Sequence, residues 1–205
     1  MGIIISMNEF GIVVLAAGAS TRLGFPNQLL EVNNESFLRS TISMAIQVTQ
    51  PVVSVLGYNY NRFERETKGL DVEVVFNLNW NKGVATSIKE GFNYIHKHYP
   101  HLKGVIFLNC DQPYINAELL RKMMYAYDDS NGIVSVADVQ ILYMPILIGK
   151  QHFKDIFKLK DDESLFTLTA AFGARNVQFA NASVNINTEQ DWLNYFNQLR
   201  QNRAS

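Results

Sequence analysis

The stretch LAAGASTRLGFPNQLL, residues 15–30, follows the apolar run FGIVV and combines two glycines, several small residues and one arginine, Arg22. Main-chain N–H groups approach an anion closely only where side chains are absent, and a guanidinium fork then covers the exposed oxygens. The stretch therefore reads as a cradle for a phosphate chain, or as a plain strand-to-helix turn in which the glycines supply positive φ and Arg22 stands in solvent. A second place of interest is LNCDQPY, residues 108–114. Its Asp111 suits a Mg²⁺ that bridges nucleotide phosphates, since that ion takes one or two carboxylates and fills its shell with phosphate oxygens. The same residues also read as a turn that opens the next helix. GASTRLG lacks the central glycine of a dinucleotide fingerprint, VLGY offers no acid for a ribose hydroxyl, and no Gly-Lys-Ser/Thr marks a P-loop. No Ser-His-Asp or Cys-His arrangement is visible, so a transfer reaction here would run without a protein nucleophile.

Both places must be held by a scaffold, and the periodicity supplies one. GIVVLA, PVVSVLG, DVEVVFN and GVIFLNC read as buried strands, separated by helices at about 36–48, 59–68 and 84–98. Val84, Ile88, Phe92 and Ile95 recur at helical spacing as a core stripe. This βαβαβαβ order predicts an α/β fold with a mixed, mostly parallel sheet between two helical layers, and a ligand crevice at the carboxyl ends of the strands. Beyond residue 130 the reading is strands near 132–136 and 140–148, helices within 150–173, a strand at NVQFAN and a last helix from Thr188. KLKDDES reads as a solvated helix start capped by Asp or Ser. With no linker, repeat or low-complexity tract, residues 1–205 read as one domain.

Composition excludes several classes of function. Eighteen Lys and Arg against nineteen Asp and Glu create no basic field for nucleic acid, and no apolar run approaches the ~20 residues of a membrane helix. A lone cysteine, Cys110, rules out an intrachain disulfide and fits a small buried hydrophobe in a reducing cytoplasm. The opening MGIIIS is too short and uncharged for a signal peptide; it matches a myristoylation pattern, by chance or by design, and Met7 is an alternative start. His96, His98 and His101 around KHYP read as a solvated helix end or, less simply, a zinc site.

Taken in order, five blocks resemble the MobA-like nucleotidyltransferases, above all the molybdenum cofactor cytidylyltransferases. LAAGASTRLGFPNQLL is similar to LAAGxSxRMGxPKxLL, and VVSVLG follows. NLNWNKGVATSIKEGF is similar to N-x-x-W-x-x-G-x-x-x-S-[IL]-x-x-G, and LNCDQP and VNINTEQDW, similar to VDIDTPEDL, complete the series. The resemblance implies a Rossmann-like nucleotidyltransferase fold and transfer of a nucleoside monophosphate to a phosphorylated acceptor such as molybdopterin. It implies that Ala16, Ala17 and Gly18 line the nucleotide, that Arg22 and the residue at Asn27 meet its phosphates, and that Gly57, Gly83 and Ser87 surround base and ribose. Asp111 would ligate Mg²⁺, with an amide oxygen of Asn185 as second ligand, while Asn77 and Trp80 shape their loop. Guanylyl-transferring relatives tend to carry glycine at the second alanine of LAAG, so the resemblance favours CTP over GTP.

Three departures bear on activity. Asn27 replaces the lysine of the family pattern at what reads as the pocket rim, leaving Lys82 or Lys89 to reach across. Asn185 and Asn187 replace both aspartates of the VDIDT block. Tyr143-Met144-Pro145 and DDESLF replace the usual Gly-x-Pro and GDxGAR. The chain is accordingly expected to be a nucleotidyltransferase, or else a catalytically impaired relative that binds nucleotide or a molybdoenzyme maturation partner.

Overall fold

The run FGIVVLA forms β1 (Phe10–Ala16), apolar at every position because helices cover both faces of the sheet it centres, in a computed structural model that describes residues 9–204. The MGIIIS pattern and Met7 lie outside the described residues. A two-stranded ribbon of β2 (Glu31–Val32) and β3 (Glu35–Ser36) then leads into α1 (Phe37–Ile46), whose first turn is capped by Ser36 Oγ accepting from the Arg39 N–H. β4 (Val52–Leu56), α2 (Tyr60–Thr67), β5 (Glu73–Phe76), α3 (Val84–His98) and β6 (Gly104–Asn109) follow as the periodicity indicates. The chain continues through α4 (Ala117–Ala126), β7 (Ile133–Asp138), β8 (Ile141–Gly149), α5 (Phe153–Ile156), α6 (Phe166–Phe172), β9 (Arg175–Gln178) and α7 (Glu189–Ala204).

Seven strands pair in the order β5-β4-β1-β6-β8-β7-β9, and β8 alone runs antiparallel to its neighbours. Alternate residues of β1 serve opposite layers. Ile12 and Val14 pack with α1, α2 and α4, whereas Val13 packs with Ile88, Phe92 and Ile95 of α3 and with α5 and α6. From β1 the chain crosses to β4 on one side, and from β5 it returns to β6 on the other. Between β1 and β6 lies the switch point at which a doubly wound sheet opens a crevice.

Two expectations are corrected. Val84 is 44% exposed and does not join the core stripe, because it stands at the first position of α3 and faces a cavity. The helical reading of 150–173 breaks into a 3-10 turn at Lys150–His152 and two short helices. Leu159 and Leu165 are buried on either side of a charged loop that Glu163 closes by accepting the Lys160 N–H. That loop, rather than a side-chain cap, precedes α6.

Tight approach of α3 to the sheet depends on Gly91, where an added Cβ would come within 2.5 Å of a Val13 methyl and 2.6 Å of a Val55 methyl. Both valines are fully buried and have no room to yield. Alanine favours a helix interior over glycine by about 1 kcal/mol, yet Gly91→Ala is expected to lower the unfolding free energy by about 1–3 kcal/mol. Urea titration checks this, and an unchanged or higher midpoint would show that the helix can ride away from the sheet.

Candidate functional site

The ends of β1 and β6 lie in register, Leu15 beside Asn109, and the loops that leave them bound a cavity of about 490 Å³. Ala17 to Arg22 form one wall, Trp80, Gly83 and Ser87 a second, and Asp111 with Asn187 a third. The loop 17–29 is bare because its shape is set from behind by amides. Gln28, almost fully buried, donates through Nε2 to the carbonyls of Gly18 at 2.7 Å and Ala16 at 3.3 Å. Ser20, at positive φ, donates to Asn27 Oδ1 at 2.7 Å, and the Tyr58 N–H holds the Ala17 carbonyl at 2.9 Å. The sequence reading did not single out Gln28; an amide at a fixed offset behind a bare loop was its only signal.

The C-terminal block closes the site. Asn27 Nδ2 donates to the Ile186 carbonyl at 3.2 Å, and the Ile186 N–H donates to the Asp111 carbonyl at 2.8 Å. Arg22 lines the cavity and, though exposed, is tethered there by donating to Asn187 Oδ1 at 3.2 Å. A reciprocal cap in which Asp191 accepts the Thr188 N–H and Thr188 Oγ1 accepts the Asp191 N–H starts α7 immediately after this block.

Asp111 is the electrostatic centre of the site. Its Oδ1 is buried without a hydrogen-bond partner. Burial pushes its carboxyl up from 3.8 to about 6, while its own backbone N–H and the charge of Arg22 pull the other way. Neighbouring Cys110 is a free, buried thiol whose acidity burial suppresses. A carboxylate short of partners is what a hard cation seeks, and Asp111 with the amide oxygen of Asn187 offers oxygen donors of the right kind. No group of three His, Cys, Asp or Glu that could hold a metal occurs among the described residues. The rest of any coordination shell would come from phosphate and water. His96 stacks on Phe92 and His98 on Tyr94, so these rings are committed to aromatic neighbours.

Ala17, Gly18, Arg22, Asn27, Gly83, Ser87 and Asp111 thus converge on one cavity. Four expectations require correction. Ala16 turns its methyl into the α1 layer, and only its carbonyl faces the loop. Gly57 lies behind Trp80, where a Cβ would come within 2.6 Å of the tryptophan, so it admits the ring and does not line the cavity. Asn185 spends its amide on the Ser183 carbonyl and is absent from the lining that Asn187 joins. Asn27 sits not at the rim but 6% exposed in the floor. Trp80 does more than shape its loop, since its side lines the cavity. Neither Lys82 nor Lys89 reaches in; Lys89 pairs with Asp161 at 3.6 Å.

A family model for the MobA-like NTP transferase domain matches residues 12–177. The chain belongs to this family. Among its MobA-like relatives, the molybdenum cofactor cytidylyltransferase of Escherichia coli (strain K12) is 24% identical over 145 residues, covering 70% of this chain and 72% of that one. The crystal structure of an Rv0371c homologue from Mycobacterium sp. strain JC1 superposes with a TM-score of 0.80 at 23% identity, over 95% of this chain and 98% of that chain. Rv0371c of Mycobacterium tuberculosis H37Rv in complex with manganese gives 0.71 at 20% identity, over 90% and 96% of the two chains. The MobA-like sheet and crevice are therefore a shared fold.

The burial of Asp111 sets a dependence of stability on pH. Below about pH 4 the carboxyl is protonated in folded and unfolded chains alike; between about 4 and 6 the folded chain keeps a proton that the unfolded chain releases. Stability from this group therefore falls as pH rises to about 6, and the whole cost persists above it. Asp111→Asn is expected to raise the unfolding free energy by up to about 3 kcal/mol near pH 8 and to leave it unchanged near pH 4. Denaturant titrations at the two pH values measure the difference.

Proposed function

We propose that this MobA-like chain, acting as one domain, transfers a cytidylyl group from CTP to a phosphorylated small-molecule acceptor and releases pyrophosphate. The observation that carries the reading is the meeting of a bare loop, one guanidinium and one desolvated carboxyl at the switch point of the sheet. In the reaction an oxygen of the acceptor phosphate bonds to the α-phosphorus in line as the bond from that phosphorus to the α–β bridging oxygen breaks. The electron pair leaves with pyrophosphate. A phosphate monoester oxygen is already anionic near neutral pH, so no protein base is needed, and catalysis consists of positioning and charge neutralisation.

In this reading the backbone of Ala17 to Ser20 lies against the triphosphate, Arg22 neutralises charge developing on the transferring and leaving groups, and Gly83 and Ser87 bound the base and ribose. Asp111 and Asn187 would hold a divalent cation, Mg²⁺ in the first instance, which supplies Lewis-acid neutralisation of the phosphates. The manganese complex of the mycobacterial relative supports a divalent ion in this fold. Alanine at position 17 and the name of the Escherichia coli relative support CTP, and the same name makes molybdopterin the first acceptor to test.

One observation favours a second reading. Arg22 is the only basic side chain lining the cavity among the described residues, and Asn27 stands where the family pattern that the loop resembles has lysine. A preorganised donor of that kind is worth about 3 kcal/mol at a transition state, so this chain could bind CTP as a maturation factor without turning it over.

The protein is to be incubated with Mg²⁺ and each of CTP, GTP, ATP and UTP, with and without molybdopterin. Pyrophosphate is expected from CTP with molybdopterin, and Asp111→Ala should reduce its rate by about a hundredfold or more. Calorimetry should give tighter Mg²⁺-dependent binding for CTP than for GTP. Tight CTP binding without release would remove molybdopterin as acceptor and favour the binding reading, and equal or reversed preference would remove the cytidylyl assignment.

A further inference from the structure

Asn77 is fully buried between the end of β5 and the start of α3, and each of its polar groups is engaged in a fixed direction. Its backbone N–H donates to the Leu56 carbonyl at 2.8 Å. Its Oδ1 accepts the Asn79 N–H at 2.8 Å, which settles the orientation of the carboxamide, because the flipped amide would set donor against donor. Nδ2 then gives one hydrogen to Thr86 Oγ1 at 2.8 Å and the other to Ser87 Oγ at 2.9 Å. Thr86 directs its own hydroxyl hydrogen to the carbonyls of Gly83 at 2.7 Å and Asn79 at 3.0 Å. Ser87 differs. Its oxygen accepts from Asn77, no acceptor for its hydrogen occurs among the described residues, and its side chain lines the cavity beside Gly83 and Trp80.

The chain of bonds therefore runs one way, from the Asn79 N–H through Asn77 to the Ser87 hydroxyl and out into the cavity. Aligned bonds of this kind polarise one another, which strengthens the terminal donor. We propose that Asn77 is a specificity-determining positioning residue: by donating to Ser87 it makes that serine a hydrogen-bond donor toward the nucleobase. Such a donor matches the O2 and N3 acceptors of cytosine and opposes the N1–H and N2–H₂ edge of guanine. Asn77 touches no substrate and acts only through Ser87. The inference rests on the cytidylyl reading, which already sets Ser87 beside base and ribose, and adds to it the residue that fixes the direction of the Ser87 hydroxyl.

The test measures dissociation constants in Mg²⁺ for CTP, for triphosphates of cytidine analogues lacking the N3 or the O2 acceptor, and for pyrophosphate, which has no base. Wild type is expected to bind one analogue roughly tenfold more weakly than CTP, the size of one lost hydrogen bond. Ser87→Ala should weaken CTP binding by the same factor and erase the discrimination between CTP and that analogue. Asn77→Asp, nearly isosteric but acceptor-only when ionised, should turn the hydroxyl inward and lose the same discrimination. Pyrophosphate affinity should be unchanged in all three proteins. Should Asn77→Asp fail to fold, Asn77→Ser, which removes the donation to Ser87, is expected to lose the same discrimination, and full retention of it would overturn the role of Asn77. Equal losses for CTP and both analogues in Ser87→Ala, or a parallel fall in pyrophosphate affinity, would overturn the inference. Wild type that binds pyrophosphate and not CTP would overturn the cytidylyl reading, and this inference with it.

Discussion

A carboxyl group shut in at the end of a central strand is the constraint around which the rest of the molecule is arranged. Asp111 cannot be made comfortable by a salt bridge without consuming the charge that a phosphate ligand requires. Instead the chain leaves Oδ1 unpaired and keeps Arg22 at a distance where its field helps the carboxyl without capturing it. Positioning is delegated to neutral amides. Gln28 shapes the loop, Asn27 and Asn187 fasten the C-terminal block, and Asn77 orders the start of α3. Amides hold geometry in both directions of donation yet carry no net charge, so the cavity retains one negative and one positive group whose principal partners are left to a ligand.

The sheet explains why such a site can persist despite the cost of burying its carboxyl. β1 and β6 are apolar on both faces, and their pairing from Phe10 with Gly104 to Leu15 with Asn109 fixes the relative height of the two loops. α3 is drawn against β1 and β4 by the absence of a side chain at Gly91. The acidic loop after α5 leans its Asp161 carbonyl on Gly83, where φ is +142° and a Cβ would come into hard contact. Rigidity at the strand ends is thus produced by close packing behind the cavity walls.

Much of this was legible in the sequence where one periodicity dominated. Buried parallel strands read as continuous apolar runs, and α3 showed its stripe at Ile88, Phe92 and Ile95. The convergence of residues 17–22, 83–87 and 111 followed from strand order and from motif resemblance. What escaped were decisions made by tertiary contact. Sequence cannot tell which face of a strand end looks outward, so Ala16 and Ala17 appeared equivalent. Gly57 carried the same family position whether it faced ligand or indole. Asn27, read by analogy with a charged residue, sits deeper than a lysine head group would because an amide can use the Ile186 carbonyl. The helical reading across 150–173 failed because Leu159 and Leu165 anchor a loop that propensity alone does not reveal.

The cavity is assembled from stretches at 17–28, 80–87 and 109–111 with Asn187, and the backbone of Ile186 bridges the first and third of these stretches, its C=O accepting from Asn27 and its N–H donating to the Asp111 carbonyl. Most of the sheet is complete once β9 has formed, yet the anion site is not, because its third wall lies further along the chain. The same segment also contributes to the core, through buried Ala182, Ile186 and Tyr195. The stretch that completes the anion site thus adds no strand: the two bonds at Ile186 join the Asn27 loop to the Asp111 loop across the crevice, so the site's closure is separable from the pairing of the sheet.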